Sequence, residues 1–182
     1  MRVIGGKAKG TQLRIPQGGR VRPATNLAKQ AIFSILENTA VNWDRVLDLF
    51  AGSGALGIEA LSRGAAWGDF VDQSKKCCGA IEYNLERAGF SSRSHVYCCN
   101  VAKAIAFLGD VYDIVFMDPP YSEPSVGSLI ATLVSSRLIG EDSAVVVLHG
   151  NRFTLDSTYT GLSLLKQRQY GDTFISIFQR ED

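Results

Sequence analysis

The sequence predicts an α/β protein with a doubly wound, mainly parallel sheet, and three observations support this prediction. After Asn42, strand-like runs rich in β-branched and aromatic residues alternate with helix-compatible stretches. The connections between them are short, as is typical of parallel sheets covered by helices. A glycine-rich turn, Gly52-Ser53-Gly54, leads from the first of these strands into a helix. A length of 182 residues, 46% hydrophobic and 20% charged, is typical of a single globular domain, which we expect to span residues 1–182.

The predicted elements follow one another in a regular order. Five strand-like runs read RVLDLF, GDFVD, HVYCC, YDIVFMD and SAVVVLH. Four helix-compatible stretches lie between them: ALGIEALSRG, SKKCCGAIEYNLERAG, VAKAIAFLG and EPSVGSLIATLVSSRL. The tail LSLLKQRQYGDTFISIFQR has no helix and indicates two strands joined at Tyr170-Gly171-Asp172, a C-terminal antiparallel hairpin. The predicted sheet therefore has seven strands.

Residues 1–40 are interpreted as a short basic N-terminal extension that packs on the main domain. The segment RVIGGKAKGTQLRIP has two strand-like pieces around a Gly/Lys-rich turn, which is consistent with a hairpin. A helix is predicted to follow, from a cap at Thr25 to about Asn38. Its predicted apolar side comprises Leu27, Ala31, Ile35 and either Leu36 or Ile32.

Charge is unevenly distributed along the chain, although the formal net charge is only +1. No acidic residue precedes Glu37, whereas seven basic residues do: Arg2, Lys7, Lys9, Arg14, Arg20, Arg22 and Lys29. This asymmetry indicates that the N-terminal segment meets a polyanion, with a solvated basic face as the alternative.

The cysteines do not indicate a metal site. They form two adjacent pairs, Cys77-Cys78 and Cys98-Cys99, and adjacent side chains diverge on a helix or a strand. Zinc sites usually use a CxxC spacing that turns both sulfurs toward one ion. We therefore predict no metal, with buried and reduced thiols. No apolar run reaches the ~18 residues of a membrane span, and no signal peptide is evident, so we expect no membrane contact and a cytoplasmic location.

The glycine-rich turn lies beside two acidic residues. The string GSGALG at residues 52–57 satisfies the GxGxxG dinucleotide pattern, but such strand-to-helix turns serve several ligands. Asp48 precedes the turn on the strand itself, where its carboxylate could accept hydrogen bonds from an amine or an ordered water. Asp72 ends the second strand, at a position suited to accept hydrogen bonds from ribose hydroxyls.

A second motif, FMDPPY, occupies residues 116–121. Because Pro119 and Pro120 cannot continue a β-ladder, the fourth strand must end at Asp118. The carboxyl ends of the strands are where open α/β sheets bind ligands. The sequence therefore predicts that Asp118 lies at a ligand site.

With both motifs in view, the chain resembles the class I S-adenosylmethionine-dependent methyltransferases, which have a Rossmann-like fold. In that family an acidic residue and a glycine-rich turn line the methionine portion of the cofactor, and the acid after the second strand holds the ribose. The resemblance implies a cofactor site formed by Asp48, Phe50, Ala51, Gly52, Ser53, Gly54, Asp72 and Asn100. Asn100 matches the position that contacts adenine in many members. The donor is a sulfonium that supplies its own leaving group, so no metal is needed.

The DPPY sequence resembles the [Asp/Asn]-Pro-Pro-[Tyr/Phe] motif of methyltransferases that modify nitrogen on planar groups. The resemblance implies four catalytic residues: Asp118, Pro119, Pro120 and Tyr121. Hydrogen bonds from an exocyclic amine to the Asp118 carboxylate and the Pro119 carbonyl would favour a pyramidal nitrogen with its lone pair aimed at the methyl group. The prolines would keep these acceptors fixed, and Tyr121 could stack on a flipped-out base.

Nearly the whole chain resembles the small bacterial family that methylates the exocyclic N2 of a guanine in 16S ribosomal RNA of the small subunit. The matching segments are Arg2 to Gly10, Arg22-Pro23-Ala24-Thr25 through Phe33, and Tyr170 to Thr173. The resemblance implies that ribosomal RNA, as an assembled small-subunit particle or free, is the partner of a monomeric enzyme. It assigns contacts with the RNA backbone to Arg2, Lys7, Lys9, Arg20 and Arg22.

The chain departs from that family at two places. The helix after the Arg-Pro-Ala-Thr loop begins Asn26-Leu27-Ala28-Lys29-Gln30, where the family carries acidic and arginine residues. After the fifth strand the family often has Glu-His, whereas this chain has Leu148-His149. Because no carboxylate neighbour is evident to orient it, we interpret His149 as a packing or solvent-exposed residue rather than a base. His95 is interpreted in the same way.

Four other functions are open at this point. A DNA adenine-N6 methyltransferase shares DPPY chemistry, but such enzymes usually devote more chain to reading duplex sequence. A protein-glutamine methyltransferase would suit the same acceptors, but the basic segment argues against it. A non-catalytic RNA-binding ribosome assembly factor would have no reason to keep Asp48, Gly52, Gly54, Asp72 and Asp118 together. A nicotinamide oxidoreductase would explain GxGxxG but leave DPPY without a role.

Overall fold

The computed structural model describes residues 1–16, 26–39, 41–120, 126–151, 155–159 and 161–180. Its strands are β1 (Arg45–Leu49), β2 (Trp67–Asp72), β3 (Ser94–Cys98), β4 (Tyr112–Met117), β5 (Ile139–Gly150), β6 (Thr158–Tyr159), β7 (Leu162–Tyr170) and β8 (Thr173–Arg180). They form one sheet in the order β3-β2-β1-β4-β5-β8-β7-β6. The first five strands pair in parallel, and the last three add to β5 in antiparallel fashion.

The α/β class and the C-terminal hairpin are confirmed, since β7 and β8 pair in antiparallel fashion across residues 171 and 172. The predicted number of seven strands is wrong because the described sheet has eight. The additional strand is β6, which has only two residues. A two-residue strand cannot show the alternation by which strands are recognised in a sequence.

The helices cover both faces of the sheet. They are α1 (Asn26–Leu36), α2 (Ala55–Arg63), α3 (Lys75–Ala88), α4 (Val101–Phe107) and α5 (Val126–Val134). Helices α1, α2 and α3 share one hydrophobic cluster with alternate strand residues, and α4 and α5 share a second cluster with the residues between them. This two-sided burial explains why the central strands read as continuous apolar runs. No helix in the described ranges is long and apolar enough to cross a membrane.

The predicted apolar side of α1 is confirmed in part, since Ile32 and Leu36 are buried and Ala31 and Ile35 pack partly buried against the same core. The buried residues of α1 are Ala28, Lys29, Ile32, Phe33 and Leu36, whereas Leu27 is 61% exposed. The Phe33 ring packs on Phe116 of β4, with the ring centroids 5.7 Å apart. The buried stripe includes a lysine because the Lys29 Nζ donates to the Arg2 carbonyl at 2.6 Å and lies 3.4 Å from a Glu59 Oε2. The predicted cap, Thr25, lies outside the described residues.

The N-terminal residues are attached to α2 by two of its buried side chains. The Glu59 carboxylate accepts hydrogen bonds from the backbone N–H groups of Ile4 and Gly5, at 2.9 and 2.8 Å. The Ser62 Oγ donates to the Gly5 carbonyl at 2.6 Å and accepts from the Ala8 N–H at 2.9 Å. The segment itself has a single antiparallel bridge, between Arg2 and Gln12, rather than two full strands. The interpretation of residues 1–40 as a separate extension stays a prediction.

Candidate active site

The candidate site lies at the carboxyl ends of β1, β2 and β4. Leu49 of β1 pairs with Val71 on one side and with Met117 on the other. The next residues along the chain are Phe50, Asp72 and Asp118. They therefore lie next to one another at this edge of the sheet. The fold brings the glycine-rich turn, the acid after the second strand and the DPPY acid to one edge, where open α/β sheets bind ligands.

The turn after β1 has a tightly defined backbone. Phe50, Gly52 and Gly54 have φ values of 59°, 58° and 75°, all in the left-handed region. Glycine adopts this region freely, but a phenylalanine there costs about 1 kcal/mol or more. The turn is closed by a hydrogen bond from the Gly54 N–H to the Ala51 carbonyl, at 2.7 Å, and is tied to β2 through the Ala51 N–H. Strain at Phe50 is of the kind that concentrates at functional sites.

Asp72 is engaged with two backbone amides. Its Oδ2 accepts a hydrogen bond from the Gly52 N–H at 2.9 Å, and its Oδ1 accepts one from the Ser74 N–H at 2.8 Å. A carboxylate has about four acceptor positions, so two are left for a ligand. This arrangement orients the carboxylate and fits the expected pair of ribose hydroxyls.

Asp48 is buried beneath the turn. Its Oδ2 accepts a hydrogen bond from the Gly57 N–H at 2.9 Å. Burial raises the pKa of Asp48 well above its usual range, and the nearby Asp118 and Asp72 carboxylates raise it further, while the Gly57 bond opposes the shift. The Asp48 side chain therefore accepts a hydrogen bond from the first turn of α2, and its pKa depends on the other charges at the site.

Gly57 completes the packing under the turn, a role that the sequence interpretation did not assign to it. A Cβ on Gly57 would lie 2.4 Å from the Phe70 ring and 3.2 Å from the Cβ of Asp48. Only glycine allows α2 to approach β1 and β2 this closely. The signal was present in the sequence as the third glycine of GxGxxG, whose function is close packing of helix on strand.

Asn84 of α3 is a second residue that sequence reasoning missed. Its buried amide donates to the Ser53 carbonyl in the glycine turn at 2.8 Å and to the Arg14 carbonyl at 2.9 Å. Its Oδ1 accepts from the Arg14 N–H at 2.7 Å. One side chain thus joins the turn to the N-terminal segment. No local motif marks it, because an asparagine within a helix is an ordinary polar residue until its neighbours are known.

Asp118 differs from the other two acids. The residue is partly buried, and within the described ranges no hydrogen bond reaches its carboxylate oxygens. Burial raises the pKa of Asp118 to about 7. The next residue, Pro119, is buried and Pro120 is exposed. Tyr121 lies outside the described residues. Asp118 is thus an acceptor without a donor among the described residues, and its charge changes near neutral pH.

The remaining predicted residues occupy the surroundings of this edge. Asn100 is exposed, and its Oδ1 caps α4 by accepting from the Ala102 N–H at 2.8 Å. Its amide N–H groups point to no partner in the described ranges. Arg2, Lys7 and Lys9 are exposed, as contacts with a polyanion require. Arg20 and Arg22 lie outside the described residues.

The cysteines and His149 have structural surroundings. All four thiols are free, with Cys77 and Cys78 buried and Cys98 exposed, so the prediction of buried thiols is wrong for Cys98. The described residues contain no cluster suited to a metal ion. His149 is buried, its Nε2 lies 2.9 Å from the Ser176 Oγ, and its ring stacks on Phe174. Of the two roles interpreted for His149, packing is therefore the correct one.

The chain is similar in sequence to one protein family and to proteins named as ribosomal RNA methyltransferases. The family model described as "Conserved hypothetical protein 95" matches residues 1–179. A Bacillus subtilis (strain 168) protein named "Putative rRNA methyltransferase YlbH" is 33% identical over 99% of each chain. The "Ribosomal RNA small subunit methyltransferase D" of Escherichia coli (strain K12) is 30% identical over all of this chain and 90% of its own length.

A solved structure extends the similarity to the fold. The structure described as "Putative methyltransferase yhhF from Escherichia coli" superposes with a TM-score of 0.88 and 27% identity. The match covers all of this chain and 98% of that one. The similarity therefore includes the N-terminal segment as well as the sheet and the candidate site.

Proposed function

The chain belongs to the conserved hypothetical protein 95 family, and from this premise we propose that it methylates the exocyclic N2 amine of a guanine in small-subunit ribosomal RNA. Relatives named as ribosomal RNA methyltransferases support an RNA methyltransferase, and the resemblance carried by the glycine-rich turn and the DPPY motif supports S-adenosylmethionine as the methyl donor. The guanine and its N2 atom are the proposed refinement. They rest on the DPPY acceptor and on the resemblance of residues 2–10, 22–33 and 170–173 described above.

One observation carries the proposal: the Asp118 carboxylate at the end of β4 has no donor from the described residues. Lack of a donor is costly for an acceptor that is partly shielded from water, so the absence of a partner among the described residues supports a ligand that supplies the missing donor. An exocyclic amine has two N–H groups and is such a ligand. Asp72 does not lack donors in this way, because its oxygens already accept hydrogen bonds from the N–H groups of Gly52 and Ser74.

The cofactor half of the site fits S-adenosylmethionine. Asp72 would hold the ribose hydroxyls with its two remaining acceptor positions, and the turn at residues 50–54 would line the methionine portion. Asn100 would offer its amide N–H groups to the adenine. When bound, the cofactor supplies a methyl group on a positively charged sulfur. The residues of the chain therefore have only to bind, orient and exclude water.

The acceptor half of the site would orient the substrate amine and accept the proton that the amine releases. Ionised Asp118 and the carbonyl of Pro119 would each accept one N–H of the amine, which favours a pyramidal nitrogen with a directed lone pair. After the substrate's amine nitrogen has bonded to the methyl carbon, that nitrogen would carry a positive charge. Asp118, with a pKa of about 7, is then matched to take the released proton near neutral pH. Tyr121 is proposed to stack on the flipped base.

The RNA is proposed to reach this edge across the basic N-terminal surface. Arg2, Lys7 and Lys9 are exposed on a backbone that Glu59 and Ser62 hold rigidly on α2. Such cations position a nucleic acid without reading its sequence. We propose that Arg20 and Arg22 extend the same contact, and that a folded particle supplies the shape by which a monomeric enzyme of this size recognises its target.

The test is transfer of labelled methyl from S-adenosylmethionine, followed by digestion and identification of the modified nucleoside. The substrates are undermethylated small ribosomal subunits, the same RNA without protein, and duplex DNA. We expect N2-methylguanosine from the subunits. N6-methyladenine from the DNA, or label in any other nucleoside, would overturn the proposal. Protein-free RNA that is modified as well as the particle would contradict recognition of an assembled shape.

A further inference from the structure

A groove separates the C-terminal end of α1 from strand β7. Its volume is about 670 Å³, and it is lined by Ser34, Ile35, Asn38 and Thr39 on one side and by residues 165–168 on the other. Among the lining residues are two bases, Lys166 and Arg168, and no acid. Both bases are exposed, and neither forms an ion pair with a described residue.

The register of the sheet places both cations on one face. Lys166 pairs with Ile177 and Arg168 pairs with Ile175. Directly opposed residues of antiparallel strands point to the same side. Ile175 and Ile177 belong to the cluster shared with α1, α2 and α3. The two basic side chains therefore flank α1, on the same face of the sheet that carries the N-terminal segment.

The outer edge of β7 is open over most of its length. In the described ranges, β6 pairs with Leu162 and Ser163, and the Leu164 N–H donates to the Ser157 carbonyl at 2.9 Å. Beyond Leu164, β7 has one neighbour among the described residues, β8. Residues 165–169 are all exposed. Charged residues on an edge strand hinder pairing with other strands. The open edge also presents backbone N–H groups, which bind phosphate oxygens in many nucleic-acid complexes.

The α1 wall is also compatible with an anion. The C-terminal end of a helix carries a partial negative charge on its free carbonyl groups. Here the Asn38 Nδ2 donates to the Ser34 carbonyl at 2.6 Å, and the Thr39 Oγ1 donates to the Leu36 carbonyl at 2.7 Å. These two bonds occupy carbonyl groups that would otherwise repel a phosphate at this wall.

We propose that this groove binds the sugar–phosphate backbone of the RNA substrate, as a second contact remote from the target base. Helix α1 lies between the two contacts, because its Lys29 holds the Arg2 carbonyl on one side while Ser34 and Asn38 line the groove on the other. An RNA strand bound at both places would cross α1 and reach the carboxyl edge from a fixed direction. This inference rests on the proposed function for the identity of the RNA.

The test compares two double charge reversals that change the net charge equally. K166E/R168E alters the groove. K103E/R137E is the matched control. It alters two exposed cations on the opposite face of the sheet, Lys103 in α4 and Arg137 shortly after α5. Affinity for protein-free small-subunit RNA and for small subunits is measured without cofactor over a range of salt concentrations. The KM for subunits, the KM for S-adenosylmethionine and kcat are then measured separately.

For K166E/R168E we expect a slope of log affinity against log salt that is shallower by about two, and a KM for subunits raised about tenfold, with kcat and the cofactor KM unchanged. K103E/R137E should match the wild type. The milder K166Q/R168Q removes the same two cations without adding negative charge, so its slope should also be shallower by about two, with a smaller loss of affinity. An unchanged slope overturns the inference, as does a loss that is independent of salt, which would indicate a protein contact. Wild-type protein that binds RNA through the groove but transfers no methyl group would overturn only the proposed function.

Discussion

The two sides of strand β1 present carboxylates in opposite states. On the β2 side, Asp72 accepts two backbone N–H groups. On the β4 side, Asp118 accepts none from the described residues, and burial raises its pKa to about 7. The proposed cofactor half is thus assembled by the chain itself. We propose that the acceptor half is completed by the substrate amine.

This difference has a physical reason. A cofactor site must hold the same molecule in every cycle, so acceptors fixed by the backbone lower the cost of binding. An acceptor for a reacting amine has to gain its bonds when the substrate arrives, and an occupied carboxylate could not do so. The open state has a cost in stability, because a buried carboxylate without donors is poorly solvated. Such violations of good packing are expected at functional sites.

The largest expected effect is the loss of methyl transfer in Asp118→Ala. Removing a preorganised electrostatic group of this kind lowers kcat by about 10²–10³. Binding of S-adenosylhomocysteine, measured by calorimetry, should be nearly unchanged because the cofactor contacts lie on the β2 side. Normal turnover by this variant would contradict the role proposed for Asp118 as amine acceptor.

Gly52→Val should weaken both cofactor binding and transfer, by about tenfold to a hundredfold. Gly52 has a φ of 58°, a conformation that costs a β-branched residue roughly 1–2 kcal/mol or more. The change also displaces the N–H that Asp72 accepts. Equilibrium binding of the cofactor is the measurement, with the thermal midpoint of unfolding as the check on folding. A variant that folds and keeps full cofactor affinity would show that the shape of the turn is dispensable.

The pH dependence of kcat/KM should report Asp118. Accepting the amine N–H requires the ionised carboxylate, so activity should fall about tenfold per pH unit below about 7. Cofactor affinity should vary much less over the same range. Profiles of wild type and Asp118→Asn, measured between pH 5.5 and 8.5 in about equal ionic strength, give the comparison. Residual activity of the Asn variant that follows the wild-type profile would assign the titration to another group.

The smallest expected effect is on the free energy of unfolding, which should change in opposite directions in Asp118→Asn and Asp72→Asn. The pKa of Asp118 is about 7 in the folded state and near the usual aspartate value of 3.8 when the chain is unfolded. Its protonated form therefore stabilises the fold at low pH, and this contribution is lost as pH rises through about 7. At pH 8 Asp118→Asn should be more stable than wild type by roughly 1 kcal/mol.

Asp72→Asn should instead be less stable by about 1–3 kcal/mol, because one of two backbone N–H groups loses its charged acceptor. Urea unfolding of both variants at pH 8 and pH 4 measures the difference. The stabilising effect of Asp118→Asn should vanish at the lower pH. Equal signs for the two variants at pH 8 would contradict the contrast drawn between the two carboxylates.

Most of the parallel α/β core could be predicted from the sequence, because two-sided burial leaves continuous apolar runs at β1, β2 and β4. Asp72 and Asp118 could be located for the same reason, because each directly follows an apolar run. The predicted side of α1 was wrong at Leu27, because periodicity favoured Leu27 over Lys29. Only the structure shows that Lys29 meets Glu59 and the Arg2 carbonyl in the interior. Likewise, Asn84 could not be identified locally because its partners lie far away in the chain.

The attachment of the N-terminal segment to α2 and α3 constrains the order in which the chain can fold during synthesis. Residues 4, 5 and 14 are synthesised first, yet their hydrogen-bond partners are Glu59 and Asn84. Phe33 must remain unpacked for longer still, because its partner, the Phe116 ring of β4, is synthesised later. At roughly 5–20 residues per second, the ribosome exposes this segment for several seconds before its partners emerge. Residues 4–14 are thus completed only after α2 and α3 have been made, and their basic composition suits a segment that must remain unpaired meanwhile.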